Sequence, residues 1–411
     1  MILIAGPSAQ PPSQYTAEKL LGFLQEIQNR HNDKSYPYLV NELELFLAAV
    51  PDTALTAHAN LLLAKVYNEK GHKHEALANA CKTMILYPSS RNQKECAALA
   101  QEIIAKDKKF AEKQALFTST MTTPLNHESD GDRYFRYISF LREWDNPELS
   151  EVMLQECRLF ESRFATDPQL FAVMQLAADL SGKMKKEGDA ALNYWKLEWM
   201  FPGHPQLSQI MYKRAFLLFE KLDDYDGAVE VLQKLILNYP QDEQAGAALL
   251  LIGKIKADKR KDYTGAQEAL RQLLTTYPQD KNAVEALLYI GEINDKKIKN
   301  YPTAIAAYDE LVEKYRSSPR GVEALERSGD IYNDEVKNYV KAAEYYARVS
   351  ELYPTYVKAP DLLIKAGTIC EEKVKDTDKA VAYYQTVIDK YPEHKKAQEA
   401  KSKIAKATGK K

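Results

Sequence analysis

Cysteine is scarce in this chain. There are four in 411 residues, Cys81, Cys96, Cys157 and Cys370. They form no CxxC pair and no disulfide framework, so a small thiol-stapled fold is excluded. Buried thiols are the expectation, and a redox or metal role is the alternative. A surplus of charge is also missing: 56 basic against 58 acidic side chains leaves a formal charge of −2. A nucleic-acid binder would usually show a basic excess. No run approaches the ~18 apolar residues of a membrane span. GxSxG, HExxH, P-loop and glycine-rich dinucleotide signatures are all absent. The seven histidines are scattered. The nearest pair, His72 and His74, follows Gly71 in an inter-helix turn, exposed or at most a weak metal site. Glu371-Glu372 and Asp223-Asp224 read as turns or solvated helix faces. No catalytic centre, cofactor or metal is expected, and the chain reads as no enzyme.

What is present is a clock. Tyr239-Pro240, Tyr277-Pro278, Tyr353-Pro354 and Tyr391-Pro392 keep a 38-residue period; Tyr315 keeps time without its proline and Phe201-Pro202 with phenylalanine. Such a period marks stacked helical repeats. Eleven residues before each aromatic stands an alanine: Ala190, Ala228, Ala266, Ala304, Ala342 and Ala380. Seven before stands Tyr194, Leu232, Leu270, Tyr308, Tyr346 or Tyr384, and four before stands a leucine or valine. Those offsets share one face of an α-helix, which the proline then ends. Fourteen residues after each anchor come Gly253, Gly291, Gly329 and Gly367, with Ile255, Ile293, Ile331 and Ile369 two further on. A glycine inside a helix costs about 0.5–1 kcal/mol, so its recurrence predicts tight helix contact. Each unit therefore has a helix A carrying Gly-x-Ile and a helix B carrying the alanine-to-tyrosine stripe. Polar turns such as 258–263 and 294–297 join them.

The pattern fades backward through Phe164, Tyr87-Pro88 and Val50-Pro51. It predicts about ten helix pairs, ending near residues 51, 88, 124, 164, 202, 240, 278, 316, 354 and 392. A lysine-rich helix over 394–407 caps them. The fold class is all-α, a right-handed α-solenoid. Residues 1–14 read as a disordered leader or signal-peptide remnant, apolar at Ile2-Leu3-Ile4 and small around Ala9. Residues 15–117 form an N-terminal sub-array and 118–132 a loop or hinge. Residues 133–411 form the longer C-terminal array with its cap.

The glycine, alanine, aromatic and proline order resembles the tetratricopeptide repeat. From Ala228 to Pro240 the spacing matches that family. The 38-residue period is four longer than its usual 34, about three of them between Pro240 and Gly253 and one between Gly253 and Ala266. This long form is similar to repeats of bacterial cell-envelope proteins, such as the periplasmic partner of the Tol-Pal system and outer-membrane assembly lipoproteins. The resemblance is strong over 187–392, fair over 36–105 and weak over 106–186. It implies a scaffold that binds protein or peptide partners on a concave helix A surface, in the periplasm or cell envelope, with the cytoplasm as alternative.

On that surface the candidate contacts are Lys254, Glu292, Asp295, Asp330, Asn333 and Glu371. The stripe leans acidic and suits a neutral or basic segment. Trp195 and Trp199, one step off the packing stripe, are expected to be an exposed pair. They offer two alternatives: a self-associating structural protein, or a carbohydrate- or cell-wall-binding accessory.

Overall fold

The computed structural model describes residues 14–30, 33–50, 54–106, 110, 112–122 and 128–409. Among them the regular structure is helical, with 21 α-helices and no strand. Ten successive pairs end at Ala49, Leu86, Thr122, Arg163, Met200, Asn238, Thr276, Lys314, Leu352 and Lys390. Each lies one or two residues before its expected end. The cap is Lys395–Ala407. The expected leader lies outside the described residues except for Gln14, which opens the first helix. The chain divides into two compact units, Met1–Ile210 and Met211–Lys411.

In the second unit the stripe behaves as the spacing predicts. Ala228, Ala266, Ala304, Ala342 and Ala380 are fully buried, as are Leu232, Leu270, Tyr308, Tyr346 and Tyr384. The periodic glycines lie under these large side chains. A Cβ on Gly329 would stand 2.6 Å from Tyr346 Cε1, and one on Gly253 2.8 Å from Leu270 Cδ2. Gly291 and Gly367 meet Tyr308 and Tyr384 more closely still. Glycine is thus required because a large helix B side chain, a tyrosine ring in three of the four cases, rests on the helix A backbone.

The Tyr-Pro tyrosines do more than end helix B. Tyr277 donates its hydroxyl to the Pro240 carbonyl at 2.7 Å, and Tyr315 to the Pro278 carbonyl at 2.8 Å. A carbonyl freed at a helix end finds its partner one unit later.

The inter-helix turns differ from expectation. Four A helices run on as π turns: Ile255–Lys259, Ile293–Ile298, Ile331–Glu335 and Cys370–Val374. A π turn takes in one residue more than the α-helix allows, which accommodates the extra residue between Gly253 and Ala266. Beyond it, Lys261, Lys299, Lys337 and Lys375 adopt positive φ, as Lys185 and Asp223 do at the same spacing. Then a short side chain caps helix B. Asp224, Asp262, Asn300, Asn338 and Asp376 accept from the backbone N–H three residues on. Such caps stabilise by about 1 kcal/mol.

The first unit departs from simple stacking. Its helix Lys73–Leu86 buries every residue from Ala76 onward, because Gln114–Thr122 and Asp130–Trp144 pack against it as well as its sequence neighbours. The expected loop over 118–132 is therefore helical at both ends. Residues 118–122 finish one helix, and Ser129 opens the next through a capping box with Asp132; residues 123–127 lie outside the described part. Tyr134, Tyr137, Phe140 and Trp144 belong to the core. So does much of His74, whose ring lies 4.9 Å from Phe110 and 5.6 Å from Trp144, in place of the expected exposed turn.

That packing buries a charge pair. Lys82 Nζ meets Glu156 Oε1 at 2.6 Å, and Tyr134 donates to Glu156 Oε2 at 2.6 Å. The lysine also faces the rings of Tyr134 and Tyr137 at 5.6 and 5.7 Å. Burial and Glu156 together hold the Tyr134 phenol protonated far above its usual range. All four cysteines are buried and unbonded. Burial pushes the Cys96 thiol up to about 11 and Cys157 to about 12.

Candidate binding face on the A helices

The A helices of the second unit carry the predicted site residues at equivalent positions. Lys254, Glu292 and Asp330 directly follow the periodic glycines, and Asp295, Asn333 and Glu371 lie four beyond them. All six are half-buried. Ala257, at the same position as Asp295 one unit earlier, is instead buried.

The fold uses most of these side chains. Lys254 pairs with Glu285 at 3.4 Å, and Arg320 reaches the same Glu285 at 3.2 Å and Glu323 at 2.7 Å. Asp330 pairs with Lys365 at 3.0 Å, and Asp361 with Lys396 at 3.6 Å. Ion pairs thus run from one A helix to the next. Exposed pairs of this kind contribute about 0–1 kcal/mol each, so their main effect is on the surface. The stripe expected to lean acidic is a mosaic of alternating sign. Asn333 donates to Asp334 at 2.6 Å, and Glu371 accepts from Tyr384 at 2.9 Å.

The spacing alone missed a three-part motif built from helix B, helix A and the following helix A. Tyr346 donates to Asp330 at 2.6 Å, Lys365 bonds the same carboxylate, and Lys365 Nζ sits 4.0 Å above the Tyr346 ring. One unit on, Tyr384 donates to Glu371 while Lys403 lies 5.5 Å from its ring. The recurrence of Lys365 and Lys403, 38 residues apart like Tyr346 and Tyr384, was the signal available.

Trp195 and Trp199 are 54% and 82% exposed, as expected. With exposed Leu192 they share one face of helix Glu187–Met200. Among the described residues no group of three His, Cys, Asp or Glu side chains could hold a metal ion. No described helix is long and apolar enough to cross a membrane.

Family models described as tetratricopeptide repeat match residues 209–242 and 362–394, and, in a second model, 256–319 and 296–357. No curated protein matches the chain. Among solved structures, it is similar to the C-terminal part of a TPR repeat-containing protein from Cytophaga hutchinsonii. That pair shares 16% identity with a TM-score of 0.43, over 65% of this chain and 98% of that one. A tetratricopeptide repeat protein from Parabacteroides merdae gives 15%, 0.37, 68% and 98%. Pseudomonas aeruginosa pilF gives 16%, 0.33, 56% and 96%.

Proposed function

From the tetratricopeptide-repeat models that match residues 209–242, 256–319, 296–357 and 362–394, we propose a non-enzymatic scaffold that holds polypeptide partners along its A helices. The observation that carries the reading is the continuity of the polar mosaic. From Lys254 through Glu285, Arg320, Asp330 and Lys365 to Lys396, successive A helices present donors and acceptors that pair from one helix to the next. A partner lying across the units meets both signs of charge, which favours registry over bulk attraction. The bacterial envelope is the proposed setting. It rests on the likeness of the long Tyr-Pro repeat to envelope proteins, and fractionation of the native host tests it.

The buried native thiols give a clean test of the face. A single cysteine at Glu323→Cys on helix A, or at Glu313→Cys on the exposed side of helix B, is coupled to a maleimide polyethylene glycol. The helix A conjugate is expected to lose partner capture and the helix B conjugate to keep it. Equal capture by both would defeat the assignment. A second reading, self-association through Leu192, Trp195, Trp199 and Met200, is supported by the exposure of all four. Light scattering of the wild type and Trp199→Ala across a concentration series tests it; a concentration-independent monomer rules it out.

A further inference from the structure

The three-part motif closes in two units and stays open in one. In the unit of Ala283–Glu292 and Tyr301–Lys314, the equivalents of Tyr346, Asp330 and Lys365 are Tyr308, Glu292 and Arg327. Glu292 is turned away, bonded to Lys296 at 2.6 Å. The second possible acceptor is Asp295, at the position of Glu371. It is one methylene shorter and does not reach the hydroxyl. Tyr308 is fully buried, and its hydroxyl has no hydrogen-bond partner. Among the described residues neither the Asp295 nor the Arg327 side chain takes part in a hydrogen bond or ion pair. Both lie within electrostatic reach of that hydroxyl, and burial raises the Asp295 carboxyl above its ordinary value. One place on the polar mosaic thus keeps a donor fork, an acceptor and a buried hydroxyl that the fold leaves unused.

The chemistry narrows the occupant. A carboxylate entering here would face Asp295 and Glu292, and an ammonium would face Arg327. A neutral group with a carbonyl and an N–H side by side satisfies both without stranding a charge. We propose that Arg327, Asp295 and Tyr308 form a recognition point for the main-chain amide of an extended segment of a partner polypeptide. The carbonyl oxygen, entering between Asp295 and Arg327, accepts from the guanidinium and the Tyr308 hydroxyl. The adjoining N–H donates to Asp295. The proposal rests on the scaffold reading above and adds the point of contact and its chemistry.

The test uses the full chain and a phage library of random heptapeptides, with the recovered peptides resynthesised carrying acetylated and amidated ends. Arg327→Ala and Asp295→Ala are each expected to weaken binding by about tenfold or more. N-methylation at one peptide position should do the same, which separates a main-chain amide from a side-chain one. Asp295→Glu supplies the longer carboxylate found at Glu371 and closes the motif onto Tyr308. It should raise the melting temperature and weaken binding together. Peptides that ignore Arg327→Ala and Asp295→Ala but are lost on Arg320→Glu would overturn the recognition point and leave the scaffold reading standing. Recovery of no peptide, or of peptides indifferent to every A-helix change, would sink both.

Discussion

Glycine and tyrosine form a matched pair in the second unit, and the match is steric. Gly329 has room for no Cβ because the Tyr346 ring occupies that space. Three units earlier in the repeat pattern the same two positions hold Ala215 and Leu232, both fully buried. Gly329→Ala is therefore expected to cost roughly 1–3 kcal/mol by overpacking. Adding Tyr346→Leu should recover part of that loss, a coupling that a double-mutant cycle in urea measures directly. Strict additivity of the two changes would show that ring and backbone do not touch. The small positions were legible in the sequence because a recurring helical glycine needs a cause. The fate of the tyrosine hydroxyls was not legible, since it depends on which of two carboxylate positions, 330 or 371, carries an acceptor long enough to reach.

Helix pairs were the readable elements. The offsets 4, 7 and 11 before each aromatic define one helix face whatever the surroundings, and proline marks its end. Two features escaped for physical reasons. Lysine carries no preference for positive φ, so the left-handed residue at 261, 299, 337 and 375 left no trace in the sequence. Lys299→Gly relieves a conformation that disfavours side chains and should stabilise by about 0.5–1 kcal/mol, read as a shift in the denaturation midpoint. No change in midpoint would mean that the turn is unstrained. The second feature is the burial of helix Lys73–Leu86. Its cover comes from Gln114–Thr122, whose Thr-Ser-Thr run reads as loop, and from Asp130–Trp144. Lys82 and Glu156 stand 74 residues apart, beyond any local pattern. Glu156→Leu strands the lysine and is expected to cost about 3–5 kcal/mol. Lys82→Met and Tyr134→Phe combined with Glu156→Leu, which leave no buried polar partner stranded, should be close to wild type. Equal losses in the single and triple variants would assign the cost to shape instead of charge.

Within the second unit, stability follows nearest neighbours, since each pair packs chiefly on the next. Deleting residues 391–411 removes Lys395–Ala407, which covers the final pair. Hydrogen exchange should then accelerate mainly in Thr377–Lys390 and leave Tyr225–Asn238 protected. Uniform acceleration across both helices would contradict a nearest-neighbour array. Charge balance and the absence of catalytic signatures pointed to a surface-driven molecule. Which surface groups remain available emerged only once each ion pair could be traced.

The tyrosine-to-proline-carbonyl bonds bridge positions 37 residues apart, and they act as a vernier on chain length. A stray insertion between two steps shifts one mark against the other, whereas loss of a complete unit restores alignment. Excising residues 279–316 would bring Tyr353, whose hydroxyl now has no partner, into register with Pro278. The polar face can then lengthen or shorten by whole copies, and the number of copies sets how long a partner it can hold.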